Sequence, residues 1–474
     1  MNFVEAIKNT PEITQTTNGA KAFKTTGSGM VDFFYEVPTL RKNQTLVLNK
    51  WGEAFGEDKI TALRTLFWLR DVRGGAGERE SFRSIMKWIE KSDYKLAVKL
   101  VKLIPEFGRW DDLLVFDSPR VQAEAFKVIE SALKEGNGLC AKWMPRKGAK
   151  AGALRTHLGL SPKQYRKTLV GLTKVVETQM CSNQWEEIEY SHVPSVASAR
   201  YRKAFTRHDE TRYNNFIQSV NAGEEKINAS ALFPHDVLKT LRSGGPETAD
   251  ALWDALPNYM QGGAALIPMI DTSSSMYSMS AVEGLSCMDI AVTLGMYIAM
   301  KNEGVFKGAW LNFNSNSHVK SITGDKFSQV YSTLNGAGDW GGSTNIESAF
   351  KSILDIAVKN KLSEDAMPKV LVILSDMQFD GSYHNPVENI TSLKMMKNLY
   401  KEAGYEIPKI VYWNLNAEHK NVPVKKSKEG VALVSGFNPS ILKSLLSGEI
   451  QSPEQILLKT VYDSRYDAVE EAVK

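Results

Sequence analysis

The hydrophobic repeat changes once along this 474-residue chain, and that change limits the folds open to it. From about Leu46 to Leu241 apolar residues recur every three or four positions, as in ITALRTLFWLRDV, SFRSIMKWIEK, YKLAVKLVKLI and VQAEAFKVIESALKE, which is the spacing of amphipathic helices. Short breaks such as RGGAGE, EFGRWDD and FDSPR separate them, so consecutive helices are expected to pack antiparallel, as stacked helical hairpins. RSGGPETAD leads into a last helix, ALWDALPNYM, and QGGAA then marks the change. Beyond Gly263 apolar strands (ALIPMID, GAWLNFN, HVKSI, KVLVILSD, KIVYWNLN, GVALVSG) alternate with helices (LSCMDIAVTLGMYIAMKN, NIESAFKSILDIAVKN, NITSLKMMKNLYKEAG, SILKSLLS). That alternation predicts a mainly parallel sheet covered on both faces. The expected fold class is therefore multidomain, α followed by α/β. Residues 1–258 form an antiparallel helical domain and residues 259–474 a doubly wound α/β domain.

Composition excludes several classes. With 43% apolar, 24% charged and 9% aromatic residues the chain reads as globular, neither disordered nor fibrous. No apolar run reaches the roughly 20 residues of a bilayer crossing. The start, MNFVEAIKNTPEIT, lacks a basic region followed by an apolar one, so the expected location is cytoplasmic, with no membrane partner. Cys140, Cys181 and Cys287 lie far apart without a C-x-x-C pair, which argues against disulfides and zinc and for buried thiols. RGGAGE follows a helix and lacks Lys-Ser/Thr, so it is read as a turn and not a phosphate loop, and no nucleotide cofactor is expected. No G-x-S-x-G elbow, H-E-x-x-H helix or paired Cys/His constellation is present, so no catalytic activity is predicted.

The polar cluster DTSSS follows the apolar strand ALIPMI directly, at a strand's carboxyl end, where parallel sheets bind ligands. Asp271, Ser273 and Ser275 form D-x-S-x-S; Thr344 in GGSTN and Asp376 in LVILSD, again at a strand end, continue the order. Magnesium takes near-octahedral oxygen ligands and keeps some of its water, so two carboxylates with hydroxyls suit it. Two acids leave the ion net positive, and an open coordination position can accept a carboxylate from elsewhere. The glycines of NGAGDWGGST let the Thr344 loop approach closely. The alternative is a helix-capping cluster without metal, because Asp and Ser favour N-caps.

These five positions, matched in order, resemble the metal-ion-dependent adhesion site of von Willebrand factor A (vWA) domains. The resemblance implies that Ser273, Ser275 and Thr344 contact a divalent ion (Mg2+, Mn2+ or Ca2+), with Asp271 and Asp376 acting directly or through water. The chain departs from the family after Asp376, where MQFD stands in place of the glycine of many members.

Net charge is +4, but residues 1–250 carry +8 (38 Lys+Arg, 30 Asp+Glu) and the remainder −4 (20 and 24). A polyanion would meet the first part. From Gly136 to Val176 there is no acidic residue, while Lys142, Arg146, Lys147, Lys150, Arg155, Lys163, Arg166, Lys167 and Lys174 are basic. SVASARYRKAFTRHDETRY adds Arg200, Arg202, Lys203, Arg207 and Arg212, with Tyr201, Phe205 and Tyr213 between them. Basic residues with interleaved aromatics suit phosphate contact and base stacking on single strands; a solvated helix face is the alternative. Helix spacing puts Lys163 beside Arg166 and Lys167. His157 could bond or stack on a nucleotide; His192 and His208 have no partner at metal-ligand spacing.

The segments NGAKAFKTTGSGMVDFFY, LFWLRDVRGGAGERESFR, LCAKWMPRK, LGLSPKQYRKTL and YSHVPSVASARYRKAF, ahead of the metal-site domain, resemble the TROVE architecture of the Ro autoantigen. That architecture is a ring of HEAT-like helical repeats joined to a vWA domain. The chain is more similar still to a relative family in plants, fungi and large DNA viruses. The likeness implies a ribonucleoprotein scaffold that binds single-stranded or structured RNA through a basic helical face, with the metal site recruiting a protein carboxylate. The competing expectation is a protein-interaction adaptor, as for vWA partners of AAA+ ATPases, in which the basic face is incidental. A metal-dependent nuclease fits poorly, since two separate carboxylates with hydroxyls do not make a two-metal site.

Overall fold

The computed structural model describes residues 13–474 except 174, 228, 230–231, 261–263, 314–316, 337–345, 380–395 and 447–449. The chain is helical up to Asp254 apart from a short hairpin, β1 (Ile13–Gln15) with β2 (Lys21–Phe23). A six-stranded sheet follows, built from β3 (Leu266–Asp271), β4 (Ala309–Phe313), β5 (Val319–Ser321), β6 (Val370–Ser375), β7 (Lys409–Asn414) and β8 (Val431–Ser435). Its order is β5-β4-β3-β6-β7-β8, and every pair is parallel except the edge pair β4–β5. β3 is buried at every position, and β6, β7 and β8 nearly so, as continuous apolar runs covered on both faces require. The expected α plus α/β class and all six strands are therefore present. The expected helix NITSLKMMKNLYKEAG lies partly outside the described residues.

The chain separates into two compact units, and they do not follow the change of pattern at residue 259. One comprises the N-terminal segment to Ala62 and Leu232–Val461; the other comprises Leu63–Ala231 and Tyr462–Lys474.

In the sheet unit, the helix Cys287–Lys301 is buried on nearly all sides and crosses β3 at Gly295. A β-carbon there would sit 2.5 Å from the Ile270 side chain, so glycine sets the helix–sheet spacing. The helix Gly29–Glu36 is equally buried and packs on β8. Against it lies the helix Gln44–Glu57, whose Glu53 would be 2.9 Å from a β-carbon on Gly29. Trp253 stacks on Phe327 at 4.4 Å, and Asp250 takes the backbone N–H and hydroxyl of Ser328 at 2.8 and 2.9 Å.

The helical unit buries charge and compensates it internally. Asp112 is wholly buried between Arg70 (Nε–Oδ2 2.8 Å) and Arg83 (Nε–Oδ1 2.6 Å). Asp71, also buried, takes the guanidinium of Arg465 and the hydroxyl of Tyr466, which ties Tyr462–Lys474 into the unit. Arg64 reaches Asp467 and Glu470 at 2.8 and 3.0 Å. RGGAGE is the expected turn between the helices Lys59–Arg70 and Glu80–Ser92. A β-carbon on Gly75 would lie 1.8 Å from the Trp68 carbonyl, so the turn folds back on the helix it leaves. The cysteines are all free; Cys140 and Cys287 are buried, but Cys181 is exposed near the end of a short helix, against the expectation of buried thiols. Among the described residues no helix is long and apolar enough to cross a membrane.

Asp112→Ala should destabilise the protein by about 3–5 kcal/mol, because it strands the buried Arg70 guanidinium and leaves Arg83 with Asp111 alone. Urea unfolding followed by circular dichroism measures this; a loss below about 1 kcal/mol would mean that the pair is solvated.

Candidate functional site

β3 and β6 are neighbouring parallel strands, so their carboxyl ends lie side by side, at the place where strand order reverses between β4 and β6. Their register pairs Ile270 with Leu374, which sets Asp271 opposite Ser375 and Asp376 one residue further. The Ser375 hydroxyl donates to Asp271 Oδ2 at 2.5 Å, and the Ser273 N–H donates to Oδ1 at 2.9 Å. Both carboxylates are buried, with Asp271 at 0% and Asp376 at 1% exposure. Burial, and after it the neighbouring Asp376 charge, pushes the Asp271 carboxyl up to about 7. Asp376 is also raised by burial, against the Gln378 N–H and the Ser275 hydroxyl that faces it.

The hydroxyls face each other rather than a helix end. Ser273 Oγ and Ser275 Oγ are 3.2 Å apart. Ser273 precedes the short 3-10 turn Ser274–Tyr277 but makes no side-chain cap bond to it. The following helix, Cys287–Lys301, is capped by Ser286, whose hydroxyl accepts from the Asp289 N–H at 3.1 Å while Asp289 returns the bond. The capping alternative for DTSSS is thus not what these side chains do. Asp271, Ser273, Ser275 and Asp376 come together; Thr344 lies outside the described residues.

The donor set fits a hard divalent cation. Asp376 Oδ1 accepts from the Gln378 N–H at 3.1 Å, whereas Oδ2 is buried without a hydrogen-bond partner. Two buried carboxylates with an unsatisfied oxygen need either protons or a cation. Among the described residues no three His, Cys, Asp or Glu side chains gather, so the donors at this rim are the two aspartates and the serine hydroxyls. Met377, next to Asp376, adopts the left-handed φ of 62° that glycine accepts freely. In a methionine this costs of order 1 kcal/mol and must be held by its surroundings.

The basic positions divide into two groups. Lys142 pairs with Glu177 at 3.1 Å, and Arg146 donates to the Ala141 and Met144 carbonyls at 2.8 and 3.1 Å. Lys150 reaches the Leu114 carbonyl, His157 faces Glu130 at 3.2 Å, and Arg155 and Arg202 are half-buried. Lys142, Arg146, Lys150 and His157 thus have partners within the fold. Lys147, Lys163, Arg166, Lys167, Arg200, Lys203 and Arg207 are exposed and form no ion pair among the described residues; Lys174 lies outside those residues. On the helix Ser195–His208, Arg200, Lys203 and Arg207 recur at three- and four-residue spacing on one outer face. On Pro162–Leu172, Lys163, Arg166 and Lys167 lie away from buried Tyr165 and Leu169.

The interleaved aromatics are not stacking platforms, contrary to expectation. Phe205 and Tyr213 are buried around Tyr190, with ring centroids 5.2 Å from it in both cases. Tyr201 donates to Glu177 at 3.2 Å. The sequence reading missed a different pair: Trp185 lies parallel to His208 at 4.4 Å and 9° at the end of the basic helix. No local pattern announces it, because the rings are 23 residues apart.

Because an unfolded aspartate titrates at about 3.9 and folded Asp271 at about 7, the stability that Asp271 contributes to the metal-free protein should be fully present below the first value. That contribution should be lost as pH rises through the second. Magnesium should reverse this, raising the melting temperature more at about pH 8 than at about pH 5, and Asp271→Asn should flatten both trends. Melting curves in EDTA and in magnesium decide it: no magnesium gain at the higher pH in the unaltered protein excludes the site.

Comparison with known families divides the chain at the start of the sheet. The domain of unknown function DUF2828 matches residues 16–115 and 145–265, and the domain of unknown function DUF7788 matches residues 265–473. The chain is 29% identical over 504 residues to "Uncharacterized protein L728" of Acanthamoeba polyphaga mimivirus, covering 94% of this chain and 86% of that protein. Neither these family matches nor this relative bears on the expected resemblance to the TROVE architecture.

Proposed function

We propose that the protein is a cytoplasmic, non-enzymatic RNA-binding scaffold. In this reading the helical part is a TROVE-like, HEAT-like repeat domain that grips RNA, and the sheet unit is a vWA domain. Asp271, Ser273, Ser275, Thr344 and Asp376 hold Mg2+ or a similar cation there, which recruits a partner's carboxylate. The observation that carries the RNA reading is the exposed helix face of Arg200, Lys203 and Arg207, which form no ion pair among the described residues, with Lys163, Arg166 and Lys167 likewise exposed on a second helix. Clustered surface cations attract phosphate, and counterions are released on binding. With Phe205 and Tyr213 committed to the core, this face supports backbone contact more than base reading.

A protein-adaptor role has its own support. Tyr277 and Met279, each 61% exposed, follow Ser275 directly in the chain. Large apolar side chains beside a cation match a partner that offers a carboxylate next to an apolar residue. The two roles are compatible in one scaffold.

Binding of a single-stranded RNA should weaken with salt at a log–log slope of roughly −0.7 per phosphate contacted. Arg200→Glu, Lys203→Glu and Arg207→Glu together should flatten that slope by about 2 and lower affinity more than tenfold at about 0.1 M salt. Fluorescence anisotropy reads both. A slope near zero in the unaltered protein, with no RNA among co-purifying nucleic acid, would leave the adaptor role alone.

A further inference from the structure

The loop that carries Asp376 is held from the far end of the chain. Thr16 Oγ1 donates to the Phe379 carbonyl at 2.6 Å, the Thr17 N–H donates to Gln378 Oε1 at 2.8 Å, and Asn18 Nδ2 donates to the Gln378 carbonyl at 2.7 Å. Gln378 passes this hold on, since its own N–H donates to Asp376 Oδ1 at 3.1 Å. The hairpin tip is itself well defined. Thr16 N–H bonds the Ala20 carbonyl at 2.8 Å, the Thr16 hydroxyl accepts from the Ala20 N–H at 2.9 Å, and Gly19 takes a φ of 89° open to glycine. A second anchor lies beyond β7, where Phe23 and Val422 exchange backbone bonds of 2.9 and 2.8 Å and Lys425 donates to the Thr25 carbonyl at 2.8 Å. The hairpin therefore spans the ends of β6 and β7 at the rim that carries Asp376.

We propose that the β1–β2 hairpin is a positioning element of the metal centre, with Thr16, Thr17 and Asn18 clamping Met377–Phe379 so that Asp376 turns its free oxygen toward a divalent cation. This rests on the cation reading given above. The physical need is the left-handed Met377 between the ligand and the clamp. Its N–H is fixed on one side by Ser375 Oγ at 2.9 Å. The other side of the turn is fixed through Gln378, and a methionine freed on that side would relax toward ordinary backbone, swinging the Asp376 carboxylate away from Asp271. In a domain with glycine at this position the turn needs no such support. Partners that orient a ligand without touching the ion characteristically govern affinity in this way.

The test is a titration of the full chain with Mn2+, reading free ion by electron paramagnetic resonance, well below the melting temperature in EDTA. Thr16→Val combined with Asn18→Ala removes two donors at a half-exposed hairpin tip, and Gln378→Ala removes the relay from the other side. Each should raise the Mn2+ dissociation constant about tenfold, whereas Thr16→Ser, which keeps the hydroxyl, should bind like the unaltered protein. An unchanged constant in both the double variant and Gln378→Ala would overturn the proposal while leaving the cation site intact. So would a loss that Thr16→Ser shares, or one that disappears on cooling, since either would mark the hairpin as a general stabiliser. If the unaltered chain binds no Mn2+ and Asp271→Ala changes nothing, the cation reading itself falls and takes this one with it.

Discussion

Two aspartates buried side by side at the ends of parallel strands set the terms for the sheet unit. Parallel pairing forces neighbouring strands to end on the same edge, and the β3–β6 register makes Asp271 and Asp376 near neighbours there. Like charges in a dry rim repel, and neither desolvation nor repulsion is relieved by the Ser375 hydroxyl and two backbone N–H groups alone. A proton or a cation must complete the balance. The hydroxyls of Ser273 and Ser275, turned toward each other and not toward a helix end, are oxygen donors suited to the second solution.

The helical unit meets its buried charge in the opposite way. Asp112 and Asp71 are each neutralised by arginine from within the unit, so much of its cationic content is structural. The same holds for Lys142, Arg146, Lys150 and His157, whose partners are carbonyls and acids brought close by folding. What remains is a narrower set of solvated cations on the outer faces of two helices. That set, and not the raw charge of the region, is the surface on which a polyanion could act.

The placing of Asp271, Ser273, Ser275 and Asp376 at strand ends was legible because strands and motif residues are adjacent in sequence: an apolar run ending in DTSSS or in SD puts polar side chains at a strand end whatever follows. The support of Asp376 was not legible. Gln378 gives no periodic signal, and the Thr16–Asn18 tip lies about 360 residues away. The acid-free stretch from Gly136 to Val176 was equally visible, yet its closest acids, Glu177 and Glu130, stand outside it in sequence and beside it in space. Phe205 and Tyr213 looked like solvent-facing rings because the segment that carries them is so basic, whereas packing against Tyr190 makes them core.

The sequence by itself determined the class of each part, helical and then alternating, since hydrophobic period is a local property that each segment must satisfy against its own neighbours. It also determined which residues cluster at the ends of β3 and β6. Only the tertiary structure decided that the N-terminal hairpin and helices pack with the sheet unit, and that Tyr462–Lys474 packs with the helical one. It alone decided which cations stay free and how Met377 is held in a glycine-like conformation. Those outcomes depend on contacts between residues from tens to hundreds of positions apart, and such contacts leave no periodic trace along the chain.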